Sequence, residues 1–85
     1  MSTEASVVRV LGTSWCPDCT RSKDFLSTHH VDFEWTDIEV DADAAREVES
    51  LHHGKRVVPT ILFVDGSVLT EPSNDELATK LGIVV

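Results

Sequence analysis

No stretch of this 85-residue chain approaches the run of about 18 apolar residues that a membrane-spanning helix needs. Basic residues are scarce: 7 Lys and Arg stand against 15 Asp and Glu, for a formal charge of -8. A surface of that sign repels phosphate backbones and anionic lipid, which argues against nucleic-acid and membrane work. Cysteine is scarcer still, with only Cys16 and Cys19. A bond between positions so close would shut a tiny loop and add little stability, so the pair is better placed for chemistry than for stapling. Residues 1–10 show no basic start and no apolar stretch of signal-peptide length. The expected compartment is the cytoplasm, where thiols are kept reduced and a CxxC is more often functional than structural. Internal repeats, low-complexity tracts and long linkers are also missing.

What is present suffices for one small fold. Apolar residues make up 41% of the chain, too many for a disordered one. A second domain would leave each part too small to bury a core, so residues 1–85 read as a single domain, expected to be a monomer.

Val7 to Gly12 is rich in β-branched residues, with Val7 and Leu11 on one parity and Val8 and Val10 on the other. That suits a central strand covered on both faces, with Gly12 as its terminator. Pro17 to His29 reads as a helix, since proline is tolerated in a first turn. Its inner face is Cys19, Ser22, Phe25 and Leu26. A second strand starts at Val31 and is expected to bulge or end near Asp37, where Ile38 and Val40 break the alternation. Asp41 or Asp43 then caps a helix that packs Ala44 or Ala45 with Val48 and Leu51 and stops at Gly54. Pro59 should open a strand, Thr60 to Val64. Asp65-Gly66 then makes a two-residue hairpin turn into Ser67 to Thr70. A last helix, capped by Ser73 or Asn74, carries Leu77, Ala78 and Leu81 on one face. Ile83, Val84 and Val85 either cover the core edge or leave a sticky end. The order βαβαββα predicts an α/β fold, a four-stranded mixed sheet with three helices distributed over both faces.

In that frame Cys16 stands at a helix mouth, where free N–H groups favour a thiolate, and Cys19 lies one turn further in on the same side. Cys16 should attack a disulfide, and the better-buried Cys19 should attack the mixed disulfide that results. Two inert buried cysteines would be the bland reading, but the Pro17-Asp18 insert keeps Cys16 out of an element interior. Zinc needs four ligands, or three and a water. His52 and His53 follow a different helix and have no CxxC companion, so no metal site is expected within one chain. A cluster shared between two chains stays open on ligand count. Asp18 has two readings: a carboxylate opposing a thiolate at Cys16 unless Arg21 or Lys23 offsets it, or an exposed first-turn acid that aids capping.

Trp15-Cys16-Pro17-Asp18-Cys19, Val58-Pro59-Thr60 and Asp65-Gly66-Ser67, together with Glu71-Pro72-Ser73, carry a resemblance across about residues 7–81. The chain resembles the glutaredoxin-like branch of the thioredoxin superfamily and, within it, the mycoredoxins of actinobacteria. The resemblance implies a thioredoxin/glutaredoxin fold, with Cys16 as nucleophile and Cys19 as resolving thiol. It also implies a cis Val58-Pro59 bond that shapes the site, and a Val58 backbone that pairs with bound substrate like an added strand. Trp15 would be packing or rim, and Pro17, Asp18, Arg21, Asp65 and Gly66 complete the implied substrate contacts. Substrates would be oxidised proteins or proteins in mixed disulfides with a small thiol. The reducing cosubstrate would be mycothiol or glutathione, with no tightly bound cofactor. Asp18 departs from the family's usual aromatic, and the usual double glycine near Gly66 is missing, which weakens the glutathione reading. Hydrogen donors to ribonucleotide reductase, fed by thioredoxin reductase, share the scaffold and are the rival. A thioredoxin-fold interaction module with little turnover is the third reading.

Overall fold

Val8 and Val10 point to one side of the first strand and Leu11 to the other, and each side meets its own cluster of buried residues. This strand, β1 (Val8–Gly12), therefore takes the centre of the sheet. Parallel strand β2 (Phe33–Asp37) flanks it on one edge and antiparallel β3 (Thr60–Leu62) on the other, with β4 (Val68–Thr70) antiparallel outside β3. The order is β2-β1-β3-β4 in a computed structural model that describes residues 8–83. Val7, expected to open β1, and Val84 and Val85 lie outside the described residues.

Helices α1 (Pro17–Thr28) and α3 (Asn74–Leu81) cover one face, where Phe25, Leu26, Leu77 and Ala78 pack on Val8, Val10, Ile61 and Phe63. Ile83 packs against this cluster, as a core-covering end should. Helix α2 (Ala42–Leu51) covers the other face through Ala44, Ala45 and Val48 on Leu11 and Ile38. Arg9, on the α2 side of β1, pins that helix with a two-pronged pair to Glu47 at 3.0 and 3.1 Å. The mixed four-stranded sheet with helices on both faces agrees with the sequence reading.

Register decides what can meet what. Gly12 pairs with Asp37, Leu11 with Thr60 and Thr60 with Thr70, so these residues share one end of the sheet. The β3–β4 hairpin tip, with Asp65 and Gly66, lies at the opposite end.

Several boundaries differ from expectation for local reasons. Helix α1 stops at Thr28, with His29 as its cap, and β2 is limited to Phe33–Asp37, ending where the broken alternation placed it. Asp41 rather than Asp43 caps α2, its carboxylate accepting the Ala44 N–H at 3.0 Å. Leu51, expected to pack with Val48, is the last residue of α2 and is 44% exposed, so the buried face of the helix ends at Val48. The hairpin is not the expected two-residue turn. Phe63 N–H donates to Ser67 and Gly66 N–H to Phe63, so Val64, Asp65 and Gly66 form a three-residue loop. Gly66 takes the left-handed φ of 89° that such a loop needs. Ser73, not Asn74, caps α3, and it exchanges hydrogen bonds with Glu76 in a capping box.

Candidate active site

The chain leaves β1 at Gly12, turns through Thr13, Ser14 and Trp15, and enters α1 at Pro17. Cys16 is the N-cap, with extended backbone at φ -84° and ψ 117°, and proline at the first helical position costs no hydrogen bond. An N-cap side chain takes an N–H from the first turn. Here that acceptor is sulfur: the Cys19 N–H donates to Cys16 Sγ at 3.3 Å. Both thiols are free, with Cys16 retaining 7% exposure and Cys19 none. Both are buried, and of the two only Cys16 keeps any contact with solvent.

Cys19 sits in a notch that explains Gly12. A Cβ added to Gly12 would stand 2.4 Å from Cys19 Sγ and 3.1 Å from the Trp35 ring. Gly12 ends β1 as expected, and a side chain there would in addition collide with the second sulfur. Burial pushes the Cys19 thiol up from 9.0 to about 12. The adjoining Cys16 sulfur adds to the rise, while the Thr13 backbone amide and the Lys23 charge oppose it. At neutral pH Cys19 is a protonated thiol.

At the same end of the sheet, the Val58-Pro59 bond is cis and Pro59 is buried. Two ties hold this segment. The Thr60 hydroxyl donates to the Val57 carbonyl at 2.7 Å and so accepts from His52 Nε2 at 3.0 Å. The Glu71 N–H donates to the Pro59 carbonyl at 2.9 Å. Among the described residues, the Val58 backbone N–H and C=O have no hydrogen-bond partner.

Arg21 joins the cysteine helix to the loop that holds Pro59. Its guanidinium donates to Asn74 Oδ1 at 2.8 Å and the Pro72 carbonyl at 3.0 Å, and lies 3.6 Å from the Asp18 carboxylate. Beside it a cleft of about 510 Å³ runs along α1, lined by Pro17, Arg21, Phe25, His29 and Asn74. Asp18 is 59% exposed, which matches the solvent-facing reading, and its offset comes from Arg21 rather than Lys23. Asp18→Asn is accordingly expected to shift stability by no more than about 0.5 kcal/mol in a denaturant titration. A loss several times larger would show the carboxylate to be structural. Trp15 is rim, 66% exposed, with its indole N–H on Glu39 at 3.0 Å.

Of the residues singled out in the sequence, the fold gathers Trp15, Cys16, Pro17, Asp18, Cys19, Arg21, Val58 and Pro59 at one end of the sheet. It does not bring Asp65 or Gly66 there. Asp65 is held below the usual carboxylate range by the Lys80 ammonium at 2.7 Å and by the hydroxyl and N–H of Ser67. Its role is to tie the hairpin to α3. Among the described residues no three His, Cys, Asp or Glu side chains gather as a metal cage would need, and no helix is long and apolar enough to cross a membrane. Sequence reasoning missed the notch role of Gly12, the His52–Thr60 hydrogen bond and the Lys23–Trp35 contact. The four-residue spacing from Cys19 to Lys23 was the one local signal available for the last.

Comparison with known proteins agrees with this geometry. The sequence pattern of the glutaredoxin family matches residues 8–69. A Mycobacterium tuberculosis protein named provisionally as a glutaredoxin is 42% identical over 76 residues, 89% of this chain and 90% of that one. Mycoredoxin 1 of Corynebacterium glutamicum is 33% identical over 76 residues, 89% of this chain and 94% of that one. The crystal structure of a glutaredoxin from Archaeoglobus fulgidus superposes with a TM-score of 0.70 at 26% identity, covering 95% of each chain. With its matched segment running from β1 through the cysteine helix and the cis-proline strand into β4, the chain belongs to the glutaredoxin family of thiol-disulfide oxidoreductases.

Proposed function

We propose that the chain reduces mixed disulfides between proteins and a low-molecular-weight thiol through Cys16 and Cys19, with mycothiol favoured over glutathione. The observation that carries the reading is the N-cap sulfur of Cys16, on a residue that keeps 7% exposure and met by an N–H at 3.3 Å, beside a second thiol with no solvent contact. Cys16 attacks the mixed disulfide, and the N–H that caps the helix is there to meet charge on its sulfur. Cys19 or a second small thiol then attacks the Cys16 disulfide. An extended substrate segment takes the unpartnered N–H and C=O of Val58, as an added strand would.

Charge supports the choice of thiol. Glutathione brings two carboxylates, while the chain carries -8 and Arg21 is already engaged by Asp18, Asn74 and the Pro72 carbonyl. Mycothiol, a sugar-linked thiol with no carboxylate, needs no free cation. Likeness to mycoredoxin 1 over most of both chains points the same way. The molecule acts as one domain, as a monomer, in the cytoplasm.

Initial rates on three substrates separate the readings: a protein–mycothiol disulfide, the matching glutathione disulfide, and insulin with thioredoxin reductase. The mycothiol disulfide is expected to be reduced fastest. Preference for glutathione would overturn the choice of thiol, and turnover only with thioredoxin reductase would move the protein to the hydrogen-donor class. Failure on all three with the fold intact would make it an interaction module.

A further inference from the structure

Lys23 is an unusual cation for this chain. Of the seven Lys and Arg residues, Arg9, Arg21, Arg46, Arg56 and Lys80 are paired with carboxylates. Of the remaining two, Lys55 is exposed, whereas Lys23 is half-buried, and neither has a carboxylate partner among the described residues, although acids outnumber bases 15 to 7. The Lys23 Nζ instead lies 3.7 Å from the centre of the Trp35 ring, within reach of the ring's negative face. Trp35 comes from β2, where it pairs with Val10 of β1, and its ring edge reaches the notch above Gly12 that Cys19 Sγ fills. Lys23 is also four residues after Cys19 in α1, so the two side chains are neighbours on one helix face.

We propose that Lys23 is a positioning residue for the second half of the exchange: Trp35 holds its ammonium beside Cys19, where it meets the negative charge that Cys19 acquires as it attacks. This rests on the reading of Cys16 as the attacking thiol. In the step concerned, Cys19 gives up its proton and its sulfur attacks Cys16 Sγ of the mixed disulfide. The bond from Cys16 to the outgoing thiol breaks, a Cys16–Cys19 disulfide forms, and the outgoing sulfur takes up a proton. The cysteine pair is oxidised and the substrate thiol is reduced.

Four groups bear on the Cys19 charge: the Cys16 sulfur, the Thr13 amide, Lys23, and the apolar surroundings that oppose ionisation. Once Cys16 is in a mixed disulfide its sulfur can no longer ionise. The Thr13 amide and Lys23 then remain as the groups that favour ionisation, and Lys23 is the only full charge. An arginine at 23 keeps the charge and stacks on an indole as well.

The test follows both halves of the exchange in the full-length protein. Reduced protein is mixed with excess hydroxyethyl disulfide, quenched in acid, and the mixed disulfide and closed disulfide are counted by mass. Losing one pKa unit of assistance cuts the thiolate tenfold and raises its nucleophilicity about threefold, a net slowing of about threefold. Lys23→Met is therefore expected to slow closure about threefold or more, with its pH profile displaced to higher pH. Lys23→Arg should restore closure, and the first attack, read in a Cys19→Ser background, should stay unchanged. Closure in Lys23→Met at the unmodified rate, or equal slowing in Lys23→Arg, overturns the proposal. Loss of the first attack in Cys19→Ser alone would count against the role of Cys16 instead.

Discussion

Cys16→Ser is expected to lose reductase activity by on the order of 10⁴-fold or more, while Cys19→Ser still attacks and accumulates a mixed disulfide. The loss at Cys16 would be chemical and not structural. Serine is among the preferred N-caps, so the Cys19 N–H that now donates to sulfur at 3.3 Å keeps an acceptor. A hydroxyl at that position cannot exchange with a disulfide. Cys19, with no solvent exposure and a thiol pushed up to about 12, is in no position to substitute for it. In Cys19→Ser the Cys16 sulfur and its capping N–H remain, so a small-thiol or protein adduct should form on Cys16 and persist when no second thiol is supplied. Intact mass after exposure to a small disulfide, with circular dichroism to confirm the fold, reads both variants. Equal trapping on Cys19 in Cys16→Ser would reverse the two roles.

The asymmetry between the thiols arises from one fold feature. A central strand carries the chain to the sheet end, and a proline-started helix turns straight back over it. The first sulfur is left on the cap and the second faces the strand. Local sequence contained most of this. Apolar residues on both parities of residues 8–11 marked a strand covered twice, Pro17 marked a first turn, and the spacing of Cys19, Ser22 and Leu26 marked the buried face. The cis bond at Val58-Pro59 was expected only through resemblance, because nothing in the flanking residues distinguishes it.

What was illegible depends on partners distant in sequence. Arg21 looked like a substrate contact, yet its acceptors at Pro72 and Asn74 are 51 and 53 positions away. Asp65 and Gly66 were grouped with the cysteines by motif, and only the antiparallel register of β3 on β1 shows that they lie at the far end. Phe63 was read as mid-strand, but its N–H pairs with Ser67 and sets the loop length. Lys23 was weighed as a counter-charge for Asp18. The ring that takes it belongs to a neighbouring strand.

Gly12 shows the same limit and leads to the second large effect. Gly12→Ala is expected to destabilise the reduced protein by about 1–3 kcal/mol and to slow Cys16–Cys19 closure sharply. The added methyl would stand 2.4 Å from Cys19 Sγ and 3.1 Å from Trp35, well inside contact distance. The backbone has little room to retreat, since Gly12 ends the central strand, is in register with Asp37, and accepts the Ile38 N–H at 2.9 Å. What must yield is the sulfur or the indole. Displacing the sulfur spoils its line to Cys16, and displacing the indole moves the surface on which Lys23 rests. A double-mutant cycle with Cys19→Ala isolates the clash, because removing the sulfur empties the space the methyl needs. Urea midpoints of the four reduced proteins should show Gly12→Ala costing much less when Cys19 is already alanine. An equal cost in both backgrounds would place the strain on Trp35, and a Gly12→Ala protein with unaltered stability and closure would show that the notch is not what keeps this position glycine.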